Sequence, residues 1–194
     1  MRFGKHNLFV LFLVWISISA FTPADSRSEQ GVIDVLNRMR AAPAVFAEHD
    51  LRPWADSMGF SKSPAFQSLL VELNHTPRLC ALSSVPVLQA MARAHALDMG
   101  KTGKVGHTGS GGGTFAKRAK PLLDAFQMLQ ENCQYGYYDP LSVICDLLID
   151  EGVPGYGHRK SLLNPQLRYV GVAFEKHKKY KINCVIELAG DSIR

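Results

Sequence analysis

The segment of residues 147–165 restricts the fold more than any other part of the sequence. An apolar run with helical character, Leu141 to Ile149, ends at two acidic residues, Asp150 and Glu151. Three glycines and a proline then end the helix, because glycine accepts left-handed backbone and proline lacks an N–H group. His158 follows this break directly. A carboxylate at a helix end and an imidazole after a tight turn can face the same space, which makes the segment a candidate site. The alternative is a helix-loop-helix whose charged side chains only contact water.

The N-terminus predicts export. Arg2 and Lys5 precede a mostly apolar run of 13 residues that ends at Ala20. A basic start, an apolar segment of this length and small residues at its end are typical of a secretory signal peptide. We assign residues 1–20 to this peptide, with cleavage as late as Ala24; the alternative is an uncleaved N-terminal anchor. A membrane span needs about 20 apolar residues, so we expect a secreted, extracellular protein with no stable membrane insertion of the mature chain.

The mature chain has the length of one domain, because about 170 residues can bury a substantial core. Removal of residues 1–20 takes away Arg2 and Lys5 and no acidic residue, which lowers the formal net charge from +5 to +3. This balance does not indicate nucleic-acid binding. Four lysines between residues 176 and 181 are interpreted as a solvated hairpin tip, and weak attraction to anionic surfaces is the alternative.

Four cysteines lie in the part of the chain that is predicted to be exported: Cys80, Cys133, Cys145 and Cys184. An even number in an oxidising compartment predicts at least one disulfide, with three pairings open if two form. Cys145 and Cys184 lie in apolar segments and can equally be reduced core residues. The absence of a C-x-x-C spacing disfavours a zinc ribbon or a thioredoxin-type site.

Hydrophobic spacing predicts helices followed by a terminal hairpin, which favours an α+β fold. The predicted helices cover residues 28–40, 66–73, 86–99 and 141–149, and residues 115–130 are compatible with helix apart from a break at Pro121. Residues 52–66 are interpreted as a loop. Residues 169–174 and 179–188 alternate in the manner of strands, and the short connection between them predicts an antiparallel pair.

Two features near the end of the helix at 86–99 concern possible ligands. His95 lies on the apolar face of this helix, where a packing histidine is favoured over a ligand. The glycine-rich loop 108–114 lacks the lysine of a phosphate-binding loop, and no clear strand precedes it. We interpret it as a flexible surface loop that lets His107 approach other groups.

Two histidines and two or three carboxylates lie beside breaks in the predicted structure: His107, Glu131, Asp150 or Glu151, and His158. Imidazole and carboxylate are suitable ligands for Zn²⁺ and other divalent metals, and the same groups can perform acid–base chemistry. Their spacing contains no H-E-x-x-H pair, so the residues alone do not show that they converge.

The order of the motifs resembles the CAP superfamily, which includes cysteine-rich secretory proteins, antigen 5 and pathogenesis-related proteins. The motifs are His107-Thr-Gly, Glu131-Asn132, residues 148–165, Tyr169-Val-Gly-Val and residues 184–190. The resemblance covers about residues 29–190, is closer to the compact forms of bacteria and protists, and leaves residues 52–78 as an expected insertion. It implies an SCP-like domain with an α-β-α sandwich, in which a small antiparallel sheet lies between helical layers.

The resemblance also implies a cavity lined by His107, Glu131, Asp150 and His158. Many relatives have glutamate at the position of Asp150, and the shorter aspartate side chain reaches less far toward a metal. The expected metal ligands are therefore His107, His158 and Glu131, with Zn²⁺ as the expected ion. The implied function is a secreted binding module for a lipid, a sterol or a partner protein. The alternative is a protease- or esterase-like hydrolase that uses the same cavity, although neither Ser110 nor Ser161 has the context of a known nucleophile.

Overall fold

The computed structural model of the chain describes residues 26–193, so the predicted signal peptide at residues 1–20 lies outside the described part. Within this part the α-helices are α1 Ser26–Ala41, α2 Pro43–Phe46, α3 Arg52–Met58, α4 Pro64–His75, α5 Pro86–Thr102, α6 Phe115–Ala119, α7 Pro140–Ile149 and α8 Gly157–Leu162. The strands are β1 Ser83–Ser84, β2 Leu129–Tyr135, β3 Leu167–His177 and β4 Lys181–Gly190. A π-helical turn, Ala47–Leu51, precedes α3, and a 3-10 turn, Lys120–Leu122, follows α6.

Proline and glycine set the ends of the helix that lies nearest to the candidate site. Helix α5 begins at Pro86, whose missing N–H group is not needed in a first turn. It ends before Gly103, which has the left-handed φ of 73° and whose N–H group bonds to the Met99 carbonyl. The predicted helix at 86–99 is therefore confirmed and extends to Thr102.

The four strands form one sheet in the order β1-β3-β4-β2. β3 pairs antiparallel with β4, and β4 pairs antiparallel with β2, whereas the two residues of β1 pair parallel with β3. The predicted hairpin is confirmed, and the lysines at its tip are exposed. Among the described strands, β2 lies at the edge and pairs with β4, and its successive side chains point alternately toward the two helical layers.

Helices cover both faces of the sheet, which confirms the α-β-α sandwich and the α+β class. α5 packs on β3 and β4 on one face, while α1 packs on β3 and on α7 at the other. On the face that α5 covers, small residues allow the helix and the sheet to pack closely. A Cβ atom on Gly171 of β3 would lie 2.2 Å from the backbone of Leu88, so only glycine fits there.

The larger core lies on the face opposite α5. Leu36 and Met39 of α1 meet Phe174 of β3 and Leu148 of α7, and all four side chains are fully buried. Burial of one such side chain stabilises the fold by roughly 1.5–3 kcal/mol. This apolar layer supplies the rigid support on which the helix ends of the candidate site are built.

Three sequence predictions differ from the structure. The predicted loop 52–66 contains α3 and the first turn of α4. The region 115–130 is helical only at α6 and the short 3-10 turn, and its end belongs to β2. The structure contains no predicted disulfide: all four cysteines are free thiols, of which Cys80 is exposed and the other three are buried.

Within residues 26–193, none of the helices has both the length and the apolar character that a membrane crossing requires.

Candidate functional site

The candidate site lies where the two helical layers meet at the edge strand β2. Successive side chains of a strand point to opposite faces. Glu131 and Cys133 therefore point toward the layer of α5, whereas Asn132 and Gln134 point toward α7 and α8. Two contacts fix the second direction: Asn132 Nδ2 donates to Ser161 Oγ of α8 at 2.9 Å, and Gln134 Nε2 donates to an Asp146 oxygen of α7 at 3.3 Å.

His107 is held by Glu131. Nδ1 of His107 donates to Oε1 of Glu131 at 2.9 Å, and Arg118 Nη2 donates to the other oxygen, Oε2, at 2.5 Å. The carboxylate is almost wholly buried, whereas 48% of the His107 side chain is exposed. The backbone at and after the imidazole is held as well, because Arg118 Nη1 also donates to the carbonyl oxygens of His107 and Gly113.

The glycine-rich loop 108–114 is anchored, in contrast to the flexible loop that the sequence predicts. Its two ends pair as an isolated antiparallel bridge between Thr108 and Thr114. Asp98 of α5 accepts hydrogen bonds from the backbone N–H and the hydroxyl of Ser110, at 2.7 and 2.5 Å. These bonds lower the pKa of the Asp98 carboxyl, so the carboxylate is the form that holds the loop beside His107.

His158 is held by Asp150 in the same manner. Nδ1 of His158 donates to Oδ1 of Asp150 at 2.7 Å, and the backbone N–H of His158 donates to Oδ2 at 2.9 Å. Asp150 ends α7 with a left-handed φ of 56°, a conformation that aspartate tolerates better than most residues. The short side chain thus contacts His158 directly, and the exposed Glu151 does not take its place.

The two imidazole–carboxylate pairs meet across a shared wall. The ring centroids of His107 and His158 lie 6.4 Å apart, with a tilt of 40° between the rings. Both rings and Val153 line two adjoining clefts of about 390 and 530 Å³. Since each Nδ1 is bound to a carboxylate, the nitrogen available to a ligand is Nε2 in both residues. The structure therefore brings together all four residues that the resemblance implied.

A second polar group, which the sequence analysis did not predict, lies beneath Glu131. Glu187 of β4 is directly opposite Glu131 in the β2–β4 register, is fully buried, and accepts no hydrogen bond from the described residues through either oxygen. His95 of α5 is also buried; its Nε2 donates to the Gly106 carbonyl at 2.9 Å and lies 3.7 Å from Glu131 Oε1. Cys133, two residues after Glu131, completes the group.

The charges of this buried group follow from burial and from its neighbours. Burial raises the pKa of Glu187, and the charge of Glu131 raises it further, to about 10. Burial alone would raise the pKa of Glu131, but the hydrogen bond from His107 and other favourable contacts lower it instead. Burial also lowers the pKa of His95 and raises that of Cys133. At neutral pH, Glu131 is thus the carboxylate and Glu187 the carboxylic acid.

Metal-binding geometry differs between the two groups. His95, Glu131 and Cys133 each offer one donor atom, and these atoms all lie within 4.8 Å of one another. Within the described part of the chain no other set of three meets this condition, so the expected set of His107, Glu131 and His158 does not form a compact triad. In the cavity, Glu131 orients an imidazole instead of pointing at the shared space.

Comparisons with known proteins place these observations in a family. No curated protein matches the sequence. Among solved structures, an extracellular protein containing an SCP domain from Bacillus anthracis str. Ames is similar, with 23% identity over 70% of this chain and a TM-score of 0.48. The chain spans 43% of that protein. An outer surface protein from Borrelia burgdorferi is similar, with 20% identity, coverage of 75% of this chain and 95% of that one, and a TM-score of 0.48.

The sequence itself matches a family model over residues 78–187, which is more than half of the chain and contains β1 to most of β4. This range includes both histidines and both carboxylates of the cavity. The chain belongs to the CAP family, the cysteine-rich secretory protein family.

Proposed function

We propose that the chain is a secreted binding module that holds a divalent cation, with Zn²⁺ preferred, between His107 and His158. The basic and apolar N-terminus supports export, and the similar solved proteins are described as extracellular or outer-surface proteins. Imidazole nitrogen is a ligand that suits Zn²⁺.

One observation carries this proposal: each imidazole donates its Nδ1 proton to a buried carboxylate. Glu131 fixes the tautomer of His107, and Asp150 fixes that of His158. Metal-binding histidines usually have such a partner on the second nitrogen, which orients the ring and raises its basicity. Glu131 and Asp150 then support the two ligands without binding the metal in the cavity, which departs from the ligand set that the resemblance implied.

A cation with two protein ligands keeps coordination positions for other groups. Water would fill these positions in the protein with a metal but no further ligand, and a carboxylate or phosphate of a bound molecule could replace it. This chemistry suits capture of a lipid headgroup or of an acidic group on a partner protein. His107 and His158 line both clefts, so a ligand has access to a metal between them from either side of the imidazoles.

The contacts of the two serines near the site favour binding over hydrolysis. Ser161 Oγ accepts a hydrogen bond from Asn132, and Ser110 Oγ donates to Asp98, so neither hydroxyl is bonded to a histidine. A nucleophilic serine needs a base within hydrogen-bond reach. The serine form of the alternative hydrolase therefore has no support in the described contacts.

Calorimetric titration of the mature protein with Zn²⁺ at neutral pH tests the proposal. We expect His107→Ala/His158→Ala to abolish binding in the cavity, and His158→Ala to weaken it more than Asp150→Ala, which should cost about 10–100-fold as a supporting residue. Affinity should also fall on acidification, because protonated imidazole cannot bind a metal. The control is His49→Ala/His75→Ala, which removes two histidines of the helical layer outside both clefts.

Two results would contradict the proposal. Equal Zn²⁺ affinity of the wild type and the double cavity variant would exclude the cavity as the binding site. Turnover of peptides or esters that the double cavity variant loses would identify a hydrolase in place of a binding module.

A further inference from the structure

The buried group beneath His107 includes two donor side chains that the proposed cavity function does not use, His95 and Cys133. Glu131, which also holds His107, is the third member, and Glu187 lies beside them; all these side chains are buried. Zinc in proteins is bound by the side chains of cysteine, histidine, aspartate and glutamate, and this group contains three of these four residue types. These polar side chains lie together in a buried layer between helix and sheet, where polar groups are costly unless they have partners.

The pleat of the sheet explains the convergence. Glu131 and Cys133 are two residues apart on β2 and so point to the same face, toward α5. Glu187 joins them from β4, because it stands opposite Glu131 in the register. α5 approaches this face closely over small residues such as Ala92, and His95 lies one turn further along the helix. All four groups therefore lie on regular elements.

The distances are near those of a zinc site. In a tetrahedral centre with bonds of about 2.0–2.3 Å, donor atoms lie roughly 3.5 Å from one another. His95 Nε2 is already 3.7 Å from Glu131 Oε1, and the complete set of three lies within 4.8 Å. Small side-chain rotations are therefore sufficient. The hydrogen bond from His95 Nε2 to Gly106 would be exchanged for the bond to the metal.

The hydrogen bonds of the group also leave room for a cation. Among the described residues, Arg118 is the one guanidinium bonded to Glu131, and neither oxygen of Glu187 accepts a hydrogen bond. Buried carboxyl oxygens without a donor are costly and rare in native proteins. A metal held by His95, Glu131 and Cys133 would place a positive charge beside these oxygens.

We propose that His95, Glu131 and Cys133 form an inner site for a thiol-preferring divalent metal, with Zn²⁺ as the physiological candidate. The site is separate from the cation between His107 and His158 and does not depend on it. On binding, the metal–sulfur bond replaces the S–H bond of Cys133, and the proton leaves to the solvent. Glu131 then connects the two sites, since its Oε1 also accepts the bond from His107.

Access to the inner site exists from the clefts. Cys133 lines the cleft of about 390 Å³, and Glu131 lines the adjoining one of about 530 Å³. His107, which is half exposed, lies over both residues, with its Nδ1 3.9 Å from the sulfur of Cys133. Rotation of this imidazole is the movement that would admit an ion.

Cobalt substitution provides the test, because a cobalt–thiolate bond gives an intense near-ultraviolet charge-transfer band that nitrogen and oxygen ligands do not give. Metal-free mature protein is titrated with Co²⁺ and then with Zn²⁺. We expect the band to appear, to disappear in Cys133→Ser and in His95→Gln, and to be displaced by Zn²⁺. The matched control is Cys145→Ser, which alters a buried thiol of α7 outside the group and should leave the band unchanged.

The variant His107→Ala/His158→Ala separates the two sites. It should retain the band while it loses the calorimetric binding of the cavity, and Cys133→Ser should show the reverse. Circular dichroism and urea unfolding of the metal-free variants establish that each is folded before its spectrum is compared. Absence of the band in folded wild type, or its persistence in Cys133→Ser, would overturn the inner site. Neither result would affect the proposed cavity function.

Discussion

Glu187 places a carboxyl group where the fold excludes water. Its position opposite Glu131 in neighbouring strands forces two carboxyl groups together. Two such groups cannot both ionise at low cost, so one retains its proton. The pKa of Glu187 is raised to about 10, first by burial and then by the charge of Glu131. In the unfolded chain the same group ionises freely, which links the stability of the protein to pH.

We predict that Glu187→Gln stabilises the metal-free protein increasingly as pH rises. The pKa of Glu187 is higher in the folded state, so the stability that its proton provides is complete below pH 4.5 and is lost as pH rises toward about 10. Glutamine does not ionise, and its amide N–H can donate to Glu131 in place of the Glu187 hydroxyl. At neutral pH the gain in the free energy of unfolding should be on the order of 2 kcal/mol, measured by urea unfolding with a chelator present.

The control for this experiment is Glu151→Gln, which alters an exposed carboxylate next to the cavity. Its effect on stability should vary little with pH. If the gain from Glu187→Gln were the same in acidic and alkaline buffer, Glu187 would be ionised in the folded protein, and the assignment of the proton would be wrong.

The sequence predicts the cavity residues better than the buried ones. His107, Glu131, Asp150 and His158 stand beside glycine breaks and within motifs, and the resemblance orders them. Glu187 has no such signal, because it meets Glu131 only through the pairing of β2 with β4. The apolar-face position of His95 correctly predicts that this side chain is buried, but it contains no information on which side chains the histidine meets.

At the scale of elements, β2 is the strand that the sequence does not reveal. Its seven residues include glutamine, glutamate and asparagine, which have low strand propensity, and no continuous apolar face. Hydrogen bonds to β4 determine its conformation, and these depend on a distant part of the chain. β3 and β4 are predicted correctly because they alternate and are rich in β-branched residues.

Helix α3 lies in the segment that the sequence predicts as a loop. Pro53, a residue typical of loops, occupies the first turn of this helix. Proline is tolerated there because the first N–H groups of a helix have no partner within the helix. A proline near the start of a segment is therefore compatible with a helix that begins there.

Arg159 joins three helices next to His158. Its side chain is 1% exposed and donates to the Leu148 and Ile149 carbonyls at the end of α7 and to the Ala65 carbonyl in α4. Carbonyl groups at a helix end need partners from elsewhere. This residue supplies them and thereby fixes α8, which carries His158, against α7.

We predict that Arg159→Met destabilises the protein by about 3 kcal/mol, because it leaves buried carbonyl groups without donors. Urea unfolding measures the loss. Arg52→Met is the matched control, because Arg52 makes its ion pair with Glu48 on the surface, and such pairs contribute little. Equal losses in the two variants would show that the buried contacts of Arg159 do not join the helices.

At the scale of the whole molecule, the two faces of the sheet are packed by different means. Large apolar side chains fill the face toward α1 and α7, whereas glycine and alanine bring α5 close to the other. A Cβ atom at Gly171 would lie 2.2 Å from backbone atoms of both Leu88 and Gln89. Neither α5 nor β3 can move apart to make room for this atom without losing contacts along its length.

Gly171→Ala should therefore destabilise the whole domain by about 3 kcal/mol or more, at the upper end of the range for overpacking. Thermal or urea unfolding measures the change. The control is Gly111→Ala in the exposed loop, where an added Cβ meets no atom within 4 Å, and it should be nearly neutral. A neutral Gly171→Ala would mean that α5 is free to move away from the sheet.

The two-faced sheet also determines the state of the cysteines. Cys133 stands opposite Val185 and Gln134 stands opposite Cys184, so the pleat points Cys133 and Cys184 to opposite faces of the sheet. A disulfide requires the two Cβ atoms to face one another at about 3.5–4.5 Å. Cys145 and Cys184 are buried in the larger core, whereas Cys80 is exposed outside it.

We predict that native alkylation of the metal-free protein, without reductant, modifies Cys80 alone. The other three thiols are at most 7% exposed and should react only when the domain opens, so their alkylation rate should increase with urea in parallel with unfolding. Mass spectrometry of the unreduced, fully unfolded protein should then count all four cysteines as modified. Cys80→Ser is the control and should abolish the rapid reaction. Any cysteine that reacts only after reduction would reveal a disulfide and contradict the arrangement of thiols described above.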